Sequence, residues 1–123
     1  MAIDPNNPTA SGMTLTFDDE FNSASISNDG AKNGTLWNDH IWFAEARPDL
    51  MNVSDGVLHM KTDPNANWAP HIQTTNGQGE GFAQKYGYFE ASIDVSGDPG
   101  TWPSFWMLNN DRLSNGPGAS GAM

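Results

Sequence analysis

Alternation of apolar and polar residues is the main signal along this chain, and it is strongest from Tyr86 to Val95. A two-residue period divides this segment into two faces. The apolar face holds Gly87, Phe89, Ala91, Ile93 and Val95, and the polar face holds Tyr88, Glu90, Ser92 and Asp94. The pattern predicts a strand with one face in the core and the other exposed.

A second apolar segment follows at residues 102–108. At the strand period Trp102 and Trp106 point one way, while Phe105 and Met107 point the other. Two indoles on one face suit a sugar ring, because its axial C–H groups pack on aromatic surfaces. The alternative is that one or both tryptophans belong to the core.

Turn signals complete an all-β pattern. Asp55-Gly56 separates two short apolar runs, Met51 to Val53 and Val57 to Thr62, and therefore predicts a hairpin. Met13 to Phe17 and Ile72 to Thr75 predict further strands, and the polar, Gly- and Asn-rich stretch from Ser23 to Gly34 predicts a long loop. Trp37 to Ala46 is ambiguous, with a short helical turn as one reading.

Four segments, taken together and in order, resemble the N-terminal half of a glycoside hydrolase family 16 domain, the laminarinase-like β-glucanases. They are Leu15 to Asn22, Asn52 to Leu58, Tyr86 to Ala91 and Gly100 to Leu108. The resemblance implies a concanavalin A-like jelly-roll β-sandwich, of which residues 14–123 would form about half, preceded by a flexible arm at residues 1–13. No second domain is predicted.

The catalytic signature of that family is a Glu-x-Asp-x-x-Glu or Glu-x-Asp-x-Glu strand that follows the Trp-Pro-x-Phe-Trp strand. This chain contains no such triplet, and its last acidic residue is Asp111. Glu90 and Asp94 do not replace it, since four strand residues separate them by about 13 Å, against about 5–5.5 Å between the carboxyls of a retaining glycosidase. We therefore expect a truncated domain that is itself inactive, from a parent enzyme that hydrolyses β-linked glucan with retention.

The same resemblance implies a substrate cleft formed by Trp102, Trp106, Glu90, Asn52 and Tyr88. This chain departs from the family at Ser92, where the family usually carries an arginine after the Glu-Ala pair. For Asn52, a turn-forming role near Asp55 is as good an explanation as a contact with substrate.

Composition limits the partners and cofactors. Fifteen acidic residues against five basic ones give a formal charge of −10, which argues against nucleic acid or an anionic membrane as a partner. The chain has no cysteine, and its three histidines follow no metal-ligand spacing. No cofactor is predicted. A structural calcium near Glu20 is implied only for the complete domain of the family.

The length of the chain bears on its assembly, and its first residues bear on its location. Single-domain β-sandwiches commonly reach roughly 200–250 residues, whereas this chain has 123. Unpaired strand edges would then favour self-association. The residues after Met1 do not resemble a signal peptide, although the family resemblance implies an extracellular protein. Two other classes remain: a non-catalytic carbohydrate-binding or lectin-like module, and a structural or adhesion β-domain.

Overall fold

The computed structural model describes residues 4, 6–31, 33–41 and 44–109. Its elements are a 3₁₀ helix at Pro8–Ser11, β1 at Ile26–Ser27, β2 at Trp37–Asn38, a 3₁₀ helix at Pro48–Leu50, β3 at Met51–Ser54 and β4 at Val57–Met60. The described residues contain no α-helix, in agreement with an all-β class; the jelly-roll arrangement stays a prediction. Neither 3₁₀ helix has the length or apolar character to cross a membrane.

The predicted hairpin is confirmed. Strands β3 and β4 pair antiparallel, from Met51 opposite Met60 to Ser54 opposite Val57. Asp55 and Gly56 have φ angles of 54° and 73°, the left-handed pair that a two-residue turn of type I′ requires. The return strand ends at Met60, two residues earlier than the sequence indicated.

A second sheet forms where the sequence predicted irregular structure. Strand β1 lies within a polar stretch that reads as a loop, and it pairs in parallel with β2, Ser27 opposite Asn38. Residues 37–38 thus form a strand, and the alternative of a helical turn is wrong for these two residues. Asn38 also exchanges both backbone hydrogen bonds with Gln73, at 2.8 and 2.9 Å. These contacts are non-local, which is why local pattern did not reveal them.

An aromatic cluster connects distant parts of the chain. Phe17 meets Trp37 edge-on at 5.3 Å and Phe82 at 4.8 Å, both between ring centroids. The indole N–H of Trp37 donates to Asp19 at 2.6 Å, and Phe21 stacks on the same indole at 6.0 Å. Residues 13–17, predicted as a strand, carry no strand here, and Phe17 is fixed through its side chain instead.

The most deeply buried residues of the described chain are polar. They are Ser27, Asn38, Asp39, Thr75 and Asn76, and no described hydrophobic residue reaches the same degree of burial. Burial of an amide or hydroxyl costs free energy unless the group is hydrogen-bonded. Asn38 meets this condition, because its side chain donates to the Ala31 carbonyl at 3.3 Å and accepts from the His40 backbone at 2.9 Å.

The sequence predicted that residues 86–95 form a strand with one buried face, and this prediction was wrong. No strand is assigned there or at residues 102–108, and Phe89, Ile93 and Val95 are exposed. Alternation specifies which side chains share a face, but burial requires a second surface to cover that face. Within the described residues no strand pairs with this segment.

Candidate functional site

Tyr88 and Glu90 form the best-defined pair among the predicted site residues. The Tyr88 hydroxyl donates a hydrogen bond of 2.7 Å to Oε2 of Glu90. This agrees with their placement two residues apart on one polar face. The bond to the carboxylate, followed by partial desolvation and the nearby negative charge, raises the pKa of Tyr88. The phenol therefore keeps its proton and holds one carboxylate oxygen in place.

The side chain of Gln84 anchors the start of the segment that carries Tyr88 and Glu90. Its Oε1 accepts from the Thr16 hydroxyl at 2.7 Å, and its Nε2 donates to the Tyr86 carbonyl at 2.6 Å. Gly87 leaves room for this amide, since a Cβ at that position would overlap with Nε2 of Gln84. Lys85 adds a cation–π contact, with Nζ 5.3 Å from the centre of the Tyr86 ring.

The two tryptophans of the predicted sugar platform are both accessible to solvent. Trp102 is 93% exposed and Trp106 49%. The alternative that Trp102 is a core residue is therefore wrong in this structure. An exposed indole is costly in water and gains most from a flat apolar ligand surface.

Asn52 lies in the β3–β4 hairpin. It belongs to β3 opposite His59, and its Nδ2 donates to the Ser54 hydroxyl at 3.3 Å. A shallow pocket of about 120 Å³ adjoins it, lined by Ala24, Ile26, Asn28, Pro48, Met51, Asn52 and Val53. None of the other predicted site residues lines this pocket, whereas Tyr88 and Glu90 are joined by their hydrogen bond.

Sequence pattern missed a carboxylate–imidazole pair. Asp39 is buried, and its Oδ1 lies 2.8 Å from Nδ1 of His40. The Gln73 amide donates to the His40 carbonyl at 2.7 Å, which fixes the backbone of this pair. A carboxylate on Nδ1 sets the tautomer of the imidazole and leaves Nε2 for a proton or ligand. Neighbouring Asp and His residues form no periodic signal, so only the fold identifies them.

The described residues hold no group of three or more His, Asp or Glu side chains close enough to bind a metal ion. Glu20, the position considered for calcium, is exposed, and its carbonyl oxygen lies near the hairpin turn at Gly56.

The chain is similar to two endo-1,3-1,4-beta-glycanases and to a glucan endo-1,3-beta-glucosidase. Over an alignment of 130 positions it is 32% identical to the endo-1,3-1,4-beta-glycanase EglC of Rhizobium meliloti strain 1021, covering 80% of this chain and 27% of that protein. It is 28% identical to ExsH, an endo-1,3-1,4-beta-glycanase of the same strain, with the same two coverages. It is 26% identical to the glucan endo-1,3-beta-glucosidase A1 of Niallia circulans, over 95% of this chain and 20% of that enzyme.

The chain thus spans about a quarter of the length of the curated relatives it matches first. No protein-family model matches it, and no solved structure does. The relatives fit a glucanase class, as the sequence segments predicted.

Proposed function

We propose that this chain is part of a glycoside hydrolase that degrades β-linked glucan, and that it supplies residues of the substrate cleft. The observation that carries the proposal is the similarity to three β-glucan hydrolases, the first of them over 80% of the chain at 32% identity. Assignment to glycoside hydrolase family 16, with its jelly roll and retaining mechanism, is the finer part of the proposal. It rests on the four sequence segments.

In this proposal the cleft surface runs along residues 86–107. The exposed Trp102 indole packs against the apolar face of one sugar ring, and Trp106 against another. Glu90, held at Oε2 by Tyr88, accepts a sugar hydroxyl at its other oxygen. Asn52 would contact the glycan only if the chain of sugars extended to the hairpin.

The chain carries no Glu-x-Asp-x-x-Glu triplet, so we propose that it binds glucan without cleaving it. A retaining reaction needs one carboxylate as nucleophile and a second carboxyl as acid, about 5–5.5 Å apart. The partner is an extracellular polysaccharide, the reaction uses no cofactor, and neither nucleic acid nor membrane takes part.

A non-catalytic carbohydrate-binding or lectin-like module is the second candidate. The 93% exposure of Trp102 favours it, because an aromatic platform is sufficient for binding alone. A structural or adhesion domain gives no reason for that exposed indole. A longer protein that contains this chain should hydrolyse β-glucan if the chain belongs to an enzyme, and should not if the chain belongs to a binding module.

The test is affinity electrophoresis of the 123-residue chain in gels that contain mixed-linkage β-1,3-1,4-glucan, β-1,3-glucan or glycogen. We expect retardation by the β-glucans and none by glycogen, an α-glucan. Trp102→Ala should weaken binding about fivefold or more, which corresponds to roughly 1 kcal/mol for one stacked ring.

Trp68→Ala is the matched control, because Trp68 is also surface-accessible, at 39%, but lies outside the proposed cleft. It should bind as the parent chain does. Circular dichroism and elution volume establish that each variant is folded. Equal retardation of the Trp102→Ala and parent chains, or reducing-sugar release by the purified chain, would contradict the proposed roles.

A further inference from the structure

Two Asn-Gly pairs in the described chain have opposite environments. In water the backbone nitrogen of the following residue can attack the asparagine side-chain carbon, and glycine hinders this least because it has no Cβ. Asn33-Gly34 and Asn76-Gly77 both have this sequence. A third pair, Asn115-Gly116, lies outside the described residues.

Asn33 is exposed at the tip of a turn. Asn33 and Gly34 have φ angles of 44° and 75°, and nothing lies within 4 Å of a Cβ built on Gly34. Nδ2 of Asn33 donates to the two oxygens of Asp29 at 3.3 and 3.0 Å. The Asn33 side chain is therefore exposed to water, and the space beside Gly34 is open.

Asn76 is only 1% exposed. Its Oδ1 accepts from the backbone N–H groups of Gln78 and Glu80, at 3.0 and 2.9 Å, and its Nδ2 donates to Glu80 at 2.7 Å. Three hydrogen bonds thus hold both ends of the amide. Attack at this carbon requires the loop to open first.

We propose that Asn33 is a site of spontaneous deamidation in the folded chain, whereas the fold protects Asn76. The Gly34 nitrogen attacks Cγ of Asn33, the Cγ–Nδ2 bond breaks, and ammonia leaves with formation of a succinimide. Water then opens the ring to aspartate or isoaspartate. The inference is independent of glucan binding.

The product has a structural consequence in the same loop. Asp29 accepts from the Ser27 hydroxyl at 2.8 Å, from the Ala31 backbone at 2.9 Å and from Asn33, and these donors lower the pKa of its carboxyl. Deamidation replaces the Asn33 donor with a second carboxylate. Two carboxylates at hydrogen-bond distance repel each other. The loop that follows β1 therefore loses the hydrogen bonds between residues 33 and 29.

The experiment incubates the folded 123-residue chain at neutral pH and at body temperature, with samples taken over several weeks. Each sample is digested, and mass spectrometry quantifies conversion at each asparagine relative to the starting material. We expect Asn33 to convert at least about tenfold faster than Asn76, the ratio that an opening free energy of about 1.4 kcal/mol imposes. Gly34→Ala should slow conversion at Asn33.

The same chain in concentrated denaturant is the control, where both Asn-Gly pairs should convert at similar rates. Conversion of both pairs at one rate in the folded chain, or faster conversion at Asn76, would overturn the proposal. So would an unchanged Asn33 in the folded chain when both pairs convert in denaturant.

Discussion

Tyr88 is the residue whose chemistry depends most clearly on a specific neighbour. The sequence places it on the polar face with Glu90, and the structure adds a hydrogen bond of 2.7 Å between the phenol and the carboxylate. The strand period is enough to bring alternate side chains to one side. Which of those side chains bond to each other is decided by rotamers that pattern does not specify.

Glu90→Gln should lower the pKa of Tyr88 towards its ordinary value of 10.0, because the carboxylate that raises it is removed. The chain has two tyrosines, so the measurement is an ultraviolet titration in a Tyr86→Phe background, where Tyr88 is the only phenol. The raised pKa means that the contribution of the pair to stability is complete below the ordinary pKa and is lost as the pH rises through the raised one. Coincident titration curves with and without Glu90→Gln would show that the bond does not persist in solution.

At the scale of elements, the β3–β4 hairpin and the segment 86–95 show why local signals succeed in one case and fail in another. The hairpin closes on itself through Asp55 and Gly56, so its register follows from two adjacent residues. The segment 86–95 has an equally regular alternation but needs a distant partner. The alternation therefore predicted a strand with a buried face, but it gave no information on whether a second surface covers that face.

Gly56→Ala should lower the free energy of unfolding by about 1 kcal/mol, because an L-residue pays roughly that amount in the left-handed region. The cost is conformational, since a Cβ at Gly56 would make only an ordinary contact of 3.5 Å with the Glu20 carbonyl oxygen. Urea denaturation followed by tryptophan fluorescence measures the change.

Gly97→Ala is the matched control for this substitution. Gly97 has no positive φ, and a Cβ there meets nothing within 4 Å. This variant should be neutral or slightly stabilising. A Gly56→Ala chain as stable as Gly97→Ala would contradict the left-handed turn.

At the scale of the whole molecule, net charge and exposed apolar surface act in opposite directions. The formal charge of −10 keeps copies of the chain apart. Exposed side chains that include Phe89, Ile93, Val95 and Trp102 favour contact between copies. Self-association of this chain therefore stays a prediction that depends on ionic strength.

We expect the weight-average mass in sedimentation velocity to rise with sodium chloride concentration, because the screening length falls from about 10 Å at 0.1 M to about 3 Å at 1 M. Ile93→Lys should reduce the association at each salt concentration, since it places a charge in the exposed apolar face. A mass that is independent of both salt and protein concentration would show that this surface does not join copies of the chain.

The sequence by itself determined the β class, the hairpin at Asp55-Gly56, the shared face of Tyr88 and Glu90, and the similarity to β-glucanases. These follow from the strand period, the turn chemistry and short ordered motifs, all of which are local. Only the tertiary structure decided the pairing of β2 with β1 and with Gln73, the burial of Asp39 beside His40, and the exposure of Trp102. Each of these depends on which distant segments meet, and burial is a property of two surfaces rather than of one.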